Sequence, residues 1–269
     1  MKTSFVKIYI VSILLSIFTI DMMAQNLVTE KQCNDKGEEY IFAGGECIQF
    51  YVSEGDVESE LNIVVHGTWT EGTNTLGRYA PFADNLSMAT DITTVAIALP
   101  GYSDSSTNHF PALSHNGTKN LAAQKEYIEF LSQLVQKLKI QFDAKKINYI
   151  GHSAGAFMGS TLTGYTSGLI DTMTSAGAGY DIHSKIKESK DLISLIDFMD
   201  KVDTKTKYLL VYGTKDTISK PEIIKNYYKA LQKAGLNVKM VEAVDAVHID
   251  LDMTDESVEA ITEMLENEE

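Results

Sequence analysis

Seven short, mostly apolar runs recur along the chain after residue 45, and this recurrence limits the folds that the chain can adopt. Several runs are nearly continuous in apolar character, as in residues 61–65 (LNIVV) and 94–99 (TVAIAL). Such runs are typical of strands in a parallel sheet that is covered on both faces. The predicted strands are residues 47–52, 61–66, 92–99, 146–150, 171–176, 207–212 and 237–243.

Stretches of helical character lie between these runs. Residues 118–142 carry apolar side chains at helical spacing, and residues 255–265 form a last helix. Residues 221–234 begin with Pro221, which suits a first helical turn, and stop before Gly235, which suits a helix end. The alternation of strand and helix predicts an α/β fold whose doubly wound, mostly parallel sheet is joined by right-handed crossovers.

Residues 181–203 interrupt this alternation, because they form an insertion between two predicted strands. The segment is charged and partly helical in pattern, so we expect a small helical cap above the sheet. Sheets of this kind bind ligands in the loops at the carboxyl ends of their strands.

The first 24 residues have the pattern of a secretory signal peptide. Lys2 and Lys7 precede or flank an apolar stretch at residues 8–20, and Ala24 supplies a small residue at the expected cleavage point. The stretch is shorter than the ~20 residues that cross a bilayer, which favours cleavage over an uncleaved membrane anchor. No other segment is expected to span a membrane. The sequence thus predicts an exported protein, periplasmic or secreted, with residues 25–269 as one domain.

Acidic residues dominate the charge of the chain. There are 37 Asp and Glu against 23 Lys and Arg, a formal net charge of −14. Nucleic acid is therefore not an expected partner, because its binding requires a basic face that replaces counterions. Arg78 is the single arginine, so a cluster of guanidinium groups that would recognise phosphate or carboxylate is not expected either.

The chain has two cysteines, Cys33 and Cys47, near the start of the expected mature protein. In an oxidising compartment they could form a disulfide, and two unpaired thiols are the alternative. A metal site is not expected, because two cysteines without nearby histidines cannot complete a zinc shell. The sequence also shows no pattern that calls for a cofactor.

Residues 151–155 read Gly-His-Ser-Ala-Gly, and they follow a predicted strand and precede a helix rich in small residues. This is the G-x-S-x-G pattern in the context that it needs for function. Glycines on either side of Ser153 allow a sharp turn that holds the serine exposed, and the helix N-terminus behind it favours developing negative charge. A chance Gly-Ser-Gly turn is the plainer alternative.

With this motif, the chain resembles the serine esterases and lipases of the α/β-hydrolase family, from about residue 47 to residue 265. The resemblance implies a nucleophile, an acid and a histidine in that order along the chain. Asp216 matches the family's acid, because it follows Gly213 in a short turn after the strand at 207–212. A solvated turn aspartate is the alternative role, and Asp203, which precedes the strand, is the main competitor.

The resemblance places the histidine in the loop after the last strand. His248 follows the strand at 237–243 and is the only histidine after Asp216. As general base it would take the serine proton and return it to the leaving group, while the acid orients the imidazole. His152, beside the nucleophile, is expected to be buried under the turn, because adjacent side chains at such a turn point apart.

The same resemblance implies an oxyanion hole built from two backbone amides. Ala154 supplies one, as the residue after the nucleophile, and Thr68 supplies the other in the His-Gly-Thr-Trp loop that follows the strand at 61–66. His66 is expected to brace this loop. Trp69 is expected either to line the acyl pocket or to pack in the core, and Tyr102 to shape the mouth of the site.

A serine nucleophile favours acyl transfer to water. We therefore expect cleavage of a carboxylic ester through an acyl-enzyme on Ser153, with a small-molecule or glycan-linked ester as substrate. Two alternatives stay open at this point: an extracytoplasmic serine peptidase of the same fold, and a catalytically silent binding protein. A polar, open cleft with an aromatic platform would favour sugar esters, whereas a closed apolar cap would favour lipid or short-chain acyl esters.

Overall fold

The structure is a computed structural model, and it describes residues 27–266. The predicted signal peptide at residues 1–24 lies outside these described residues. The described part contains eight strands, β1 to β8, and all seven predicted strands are among them. Their bounds are Tyr40–Ala43, Glu46–Ser53, Val57–Val65, Ile92–Ile97, Lys146–His152, Thr172–Ala176, Lys207–Gly213 and Asn237–Ala243.

The eight strands form one sheet in the order β1-β2-β4-β3-β5-β6-β7-β8. The six strands from β4 to β8 in this order are parallel to one another, whereas β2 pairs antiparallel with β1 and with β4. The central strands are buried on both faces, which explains their nearly continuous apolar sequences. The prediction of a doubly wound, mostly parallel sheet is confirmed.

Six α-helices lie within the described residues. Their bounds, from α1 to α6, are Glu30–Asn34, Thr75–Thr90, Lys125–Gln141, Ala154–Tyr165, Pro221–Lys233 and Asp255–Glu266. None of the helices between residues 27 and 266 is both long and apolar enough to cross a membrane.

The helices form layers on both faces of the sheet. Along the strand order, the chain moves from β3 to its neighbour β4 on one side, and from β4 it moves back past β3 to β5. Right-handed crossovers therefore put α2 and α3 on opposite faces. Helix α6 packs against α2, and α4 packs against α3. Tyr208 of β7 joins the second layer, because its hydroxyl donates to Thr163 of α4 at 2.6 Å and its ring meets that of Tyr227 of α5.

The insertion at residues 181–203 lies between β6 and β7, and its helical content is two 3₁₀ turns, Leu195–Asp197 and Met199–Lys201. It packs along α4. Gly164 of α4 allows this approach, because a Cβ there would lie 2.6 Å from the carbonyl oxygen of Phe198. The Phe198 ring also meets that of Tyr165 edge-on. The contacts of this segment thus place it against the flank of the helix that begins at the nucleophile motif.

A disulfide joins Cys33 of α1 to Cys47 of β2. Both residues are fully buried, and the bridge ties the N-terminal segment to the second strand of the sheet. Pairing of the two cysteines, one of the two alternatives that the sequence left open, is therefore what the structure has.

We expect the Cys33→Ala/Cys47→Ala double variant to unfold with a free energy about 3 kcal/mol lower than the wild type, because the bridge closes a loop of 14 residues and restricts the unfolded chain. Urea titration measures this difference. A reducing agent should lower the stability of the wild type by a similar amount and leave that of the double variant unchanged. Equal stability of the two proteins under oxidising conditions would contradict the prediction.

Candidate active site

Ser153 lies at the sharp turn between β5 and α4, in the strained backbone conformation of a nucleophile elbow. Its φ is 51° and its ψ is −115°, a region that L-residues rarely adopt. The two motif glycines make room for this turn. A Cβ on Gly151 would lie 2.6 Å from Cα of Ala156, and one on Gly155 would lie 2.3 Å from the carbonyl oxygen of Val65. The motif therefore requires glycine at both positions.

Three loops at the carboxyl ends of parallel strands bring Ser153, His248 and Asp216 together. His248 Nε2 lies 2.9 Å from Ser153 Oγ, and His248 Nδ1 lies 2.8 Å from Asp216 Oδ2. The loops follow β5, β8 and β7, and these strands end at the same edge of the sheet because they run parallel. The three residues form one continuous chain of hydrogen bonds, as expected for a nucleophile, base and acid.

The Asp216 carboxylate is fully buried and held by two backbone amides. The N–H groups of Ile218 and Ser219 both donate to Oδ1 at 2.8 Å. The other oxygen, Oδ2, is thereby directed at His248. Because a carboxylate accepts hydrogen bonds, it holds the proton of the neutral imidazole on Nδ1 and leaves the Nε2 lone pair facing Ser153.

The two amides expected to bind an oxyanion, those of Thr68 and Ala154, lie beside the nucleophile. Gly67 lets the first loop approach closely, because a Cβ there would lie 2.8 Å from Ser153 Cβ. Within residues 27–266 neither amide donates to another protein group. Both N–H groups are therefore available to a ligand oxygen near Ser153.

His66 braces this loop from below. Its Nε2 accepts the Leu99 amide at 3.1 Å, so the ring proton lies on Nδ1 and is donated to the Gly67 carbonyl at 2.7 Å. The pKa of His66 is lowered to about 4, chiefly by burial; the Gly67 carbonyl partly opposes this effect, and the neighbouring His152 adds a smaller lowering. His66 is thus neutral at physiological pH, and its two hydrogen bonds hold the Gly67 loop against the chain at Leu99.

The low pKa of His66 predicts a loss of stability on acidification. The unfolded chain binds this proton below about pH 6.5, and the folded chain binds it only near pH 4. The stabilising contribution of the buried, neutral imidazole is therefore complete above pH 6.5 and is lost as the pH falls to about 4. We expect about 2–3 kcal/mol of the difference in unfolding free energy between pH 7 and pH 4.5 to come from this residue. Urea titrations at both pH values measure it. His66→Gln, whose amide does not titrate, should show a correspondingly smaller pH dependence, and an unchanged dependence would contradict the assignment.

His152 supports the loop that carries the base. It is nearly fully buried, and its Nε2 donates to the backbone carbonyl of His248 at 2.8 Å. The two rings lie 5.1 Å apart between centroids. His152 therefore holds the position of His248, and among the described residues it forms no hydrogen bond with Ser153 Oγ, in line with its expected burial under the turn.

Tyr102 differs from the expectation that it would line the mouth of the site. The residue is fully buried and its ring packs edge-on against that of His66. Its hydroxyl donates to the Trp69 carbonyl at 3.1 Å and accepts the Ser114 amide at 3.2 Å. Tyr102 thus joins two surface loops from beneath instead of presenting a surface to a ligand.

Trp69 and Arg78 form a contact that the sequence analysis did not foresee. The guanidinium of Arg78, on α2, lies 4.6 Å from the centre of the half-buried Trp69 ring. The same guanidinium pairs with the Asp250 carboxylate, two residues after His248. The single arginine of the chain therefore connects the oxyanion loop to the loop of the base. The only feature of the sequence that could have pointed to this contact is that Arg78 is the single arginine.

An open cleft of about 750 Å³ begins at Thr68 and runs between residues 68–71 and residues 114–116. Across it, Glu71 Oε2 lies 3.4 Å from His115 Nδ1, and both side chains are about half exposed. Neither Glu71 nor His115 is among the site residues that the sequence analysis names. In the part of the chain that the structure describes, no group of three or more His, Cys, Asp and Glu residues is placed to hold a metal ion.

Comparison with known proteins places this arrangement in a structural context. No protein-family model matches the chain, and no curated protein matches it in sequence. Solved structures do match. A predicted CIB-like hydrolase from Thermoplasma acidophilum aligns with a TM-score of 0.64 at 18% identity, over 86% of this chain and 98% of that one.

Two esterases align in a similar way. The Pyrococcus furiosus esterase Pf2001 has a TM-score of 0.64 at 16% identity, over 84% of this chain and 90% of that one. Est1E from Butyrivibrio proteoclasticus, in a complex with ferulic acid, has a TM-score of 0.59 at 17% identity, over 84% of this chain and 96% of that one. At such low identity the likeness concerns the fold. The chain has the α/β-hydrolase fold.

Proposed function

We propose that this protein is a serine hydrolase that cleaves a carboxylic ester through an acyl-enzyme on Ser153. The observation that carries the proposal is the continuous hydrogen-bond chain from Ser153 Oγ through His248 to the buried Asp216 carboxylate. A nucleophile, a base and an orienting acid in this geometry are the requirements for acyl transfer.

In the first half of the reaction, Ser153 Oγ attacks the ester carbonyl carbon while His248 Nε2 takes the hydroxyl proton. The carbonyl π electrons move to the oxygen, and the amides of Thr68 and Ala154 donate hydrogen bonds to the resulting oxyanion. When the tetrahedral intermediate collapses, the bond to the alcohol oxygen breaks. His248 gives its proton to that oxygen, the alcohol leaves, and the acyl group stays on Ser153.

In the second half, water replaces the alcohol. His248 takes one proton from the water as its oxygen attacks the acyl carbon, and the same two amides hold the oxyanion. Collapse of this intermediate breaks the bond to Ser153 Oγ, which recovers its proton from His248. The carboxylic acid is released and the free enzyme is restored.

Two observations support an ester over a peptide substrate. Two proteins of similar fold, which this chain covers over 90% or more of their length, are named esterases, whereas one named a putative dipeptidyl aminopeptidase IV is covered over only 34% of its length. Glu71 is the single carboxylate in the lining of the cleft next to the oxyanion loop, so this lining has no pair of acidic side chains to clamp a peptide ammonium group. A serine peptidase of the same fold and a silent binding protein remain the alternatives that experiment must separate.

Labelling with a fluorophosphonate tests the proposal directly, because such probes form an adduct only with an activated serine. We expect one adduct, on the peptide that contains Ser153, and none in the Ser153→Ala variant. A folded wild-type protein that forms no adduct would contradict the proposal and favour the silent binding protein.

We also propose that the protein is exported, on the pattern of residues 1–24 and the disulfide between Cys33 and Cys47, since disulfides persist in oxidising compartments. The protein purified from the cell envelope or culture medium of its host should then have a mass that corresponds to a chain beginning at Gln25. A mass that retains residues 1–24 would argue against cleavage.

A further inference from the structure

We propose that the alcohol part of the substrate is a sugar or another neutral polyol, an inference that rests on the proposed function. The first supporting observation is the position of the open cleft. Thr68, whose amide is expected to hold the oxyanion, is also part of the cleft lining. Its neighbour Gly67 lies against Ser153, because a Cβ on Gly67 would lie 2.8 Å from Ser153 Cβ. The cleft therefore begins beside the position expected for the oxyanion, and we place the alcohol part of the ester in it.

The second observation is the chemistry of the lining. Six of the seven residues that line the cleft carry a hydroxyl, carboxylate, imidazole or amide group, and the seventh is Trp69. Glu71, His115 and Asn116 are exposed and reach it from both sides. An alkyl chain placed here would remove these groups from water and return no hydrogen bonds, at a cost for each group. A polyol would satisfy them with its own hydroxyls.

The third observation is charge. The lining contains one carboxylate, Glu71, and one imidazole, His115, which lie 3.4 Å apart across the cleft, and it contains no lysine or arginine. A phosphate or carboxylate on the substrate would have no cationic partner of fixed charge and would lie near Glu71. The cleft is therefore suited to a neutral ligand.

Trp69 adds to the cleft an aromatic surface on which the apolar face of a sugar ring can pack. One side of its ring is occupied by the Arg78 guanidinium, and the residue is partly exposed where it borders the cleft. A sugar ring is polar at its rim and apolar on its faces. It fits a cleft in which one aromatic group is surrounded by hydrogen-bonding side chains, as in other small-molecule sites.

A matched pair of substrates tests this inference. 6-O-acetylglucose and hexyl acetate have the same acyl group and a six-carbon primary alcohol, and they differ in the hydroxyl groups and ring of the sugar. We expect kcat/KM to be at least about tenfold higher for the sugar ester. The Glu71→Leu and Asn116→Leu variants should each reduce this ratio several-fold. Glu58→Leu, at the opposite end of β3, is the matched control and should not change the ratio.

Other outcomes distinguish this inference from the proposed function. If 4-nitrophenyl acetate is hydrolysed but hexyl acetate is cleaved as well as the sugar ester or better, the polyol inference is wrong and the ester hydrolase stands. Preference for alanine 4-nitroanilide over both esters would overturn it in favour of an ammonium-binding role for Glu71. If neither 4-nitrophenyl acetate nor any other probe is turned over, the proposed function fails, and the inference fails with it.

Discussion

Replacing Ser153 with alanine is expected to lower kcat for 4-nitrophenyl acetate by about a million-fold, because the variant has no oxygen to form the acyl-enzyme. The remaining rate would come from the oxyanion amides and from substrate binding. The fold should be unchanged, since alanine is smaller than serine and the turn itself is fixed by the glycines at 151 and 155. Stopped-flow and steady-state assays of nitrophenol release measure the effect.

The control for this experiment is Ser175→Ala, a change of the same kind in the neighbouring strand β6. Ser175 is buried and pairs in register with Gly151, but the structure gives it no contact with the hydrogen-bond chain of the site. Activity close to that of the wild type is expected there. A Ser153→Ala protein that retains full activity would refute the mechanism, and equal loss in both variants would indicate a folding defect instead.

Replacing Asp216 with asparagine is expected to lower kcat by about ten-thousand-fold while the protein remains folded. The amides of Ile218 and Ser219 donate to Oδ1, so they will hold the asparagine oxygen in that position. The side-chain NH₂ then faces His248 Nδ1 and donates to it. The imidazole proton moves to Nε2, and the lone pair that should accept the Ser153 proton is lost.

Asp203→Asn provides the comparison for this prediction. Asp203 precedes β7 and accepts the Lys205 amide at 2.9 Å within its own turn. It was the competing candidate for the acid in the sequence, and its substitution should leave kcat unchanged. A large loss in Asp203→Asn together with a small loss in Asp216→Asn would reverse the assignment of the acid.

The position of Ser153 could be read from the sequence because it has a local cause, whereas Asp216 and His248 were assigned through the family resemblance. Ser153 lies between two glycines after an apolar strand, and Asp216 and His248 follow strands whose carboxyl ends must meet in a parallel sheet. The sequence also supplied seven of the eight strands. These elements depend on patterns of a few neighbouring residues.

Other elements were missed or displaced for equally physical reasons. Helix α2 was not foreseen, although its buried residues Leu76, Tyr79, Phe82 and Leu86 have helical spacing, because Gly77 and Pro81 lie within it. Helix α3 begins at Lys125 instead of residue 118. Asn120 adopts a left-handed conformation with φ of 55°, and the 3₁₀ turn Leu121–Ala123 precedes the helix.

Tyr102 shows where local reasoning fails. A turn at Pro100 and Gly101 precedes it, but the direction of the Tyr102 side chain depends on the residues that surround it in space. The structure turns the ring inward, where it packs on His66 and hydrogen-bonds to Trp69 and Ser114. These partners lie 12 to 36 positions away along the chain, as the numbering shows.

The sequence by itself determined most of the strands and helices and the turn at Ser153, because apolar periodicity and glycine requirements are properties of short segments. The candidate acid and base came from the family resemblance that this turn supports. Only the tertiary structure decided how separate loops meet. It joined Arg78 to Trp69 and Asp250, it set Glu71 opposite His115, and it paired the two cysteines. Contacts of this kind arise from the packing of helices on the sheet, which brings together residues that are distant in the chain.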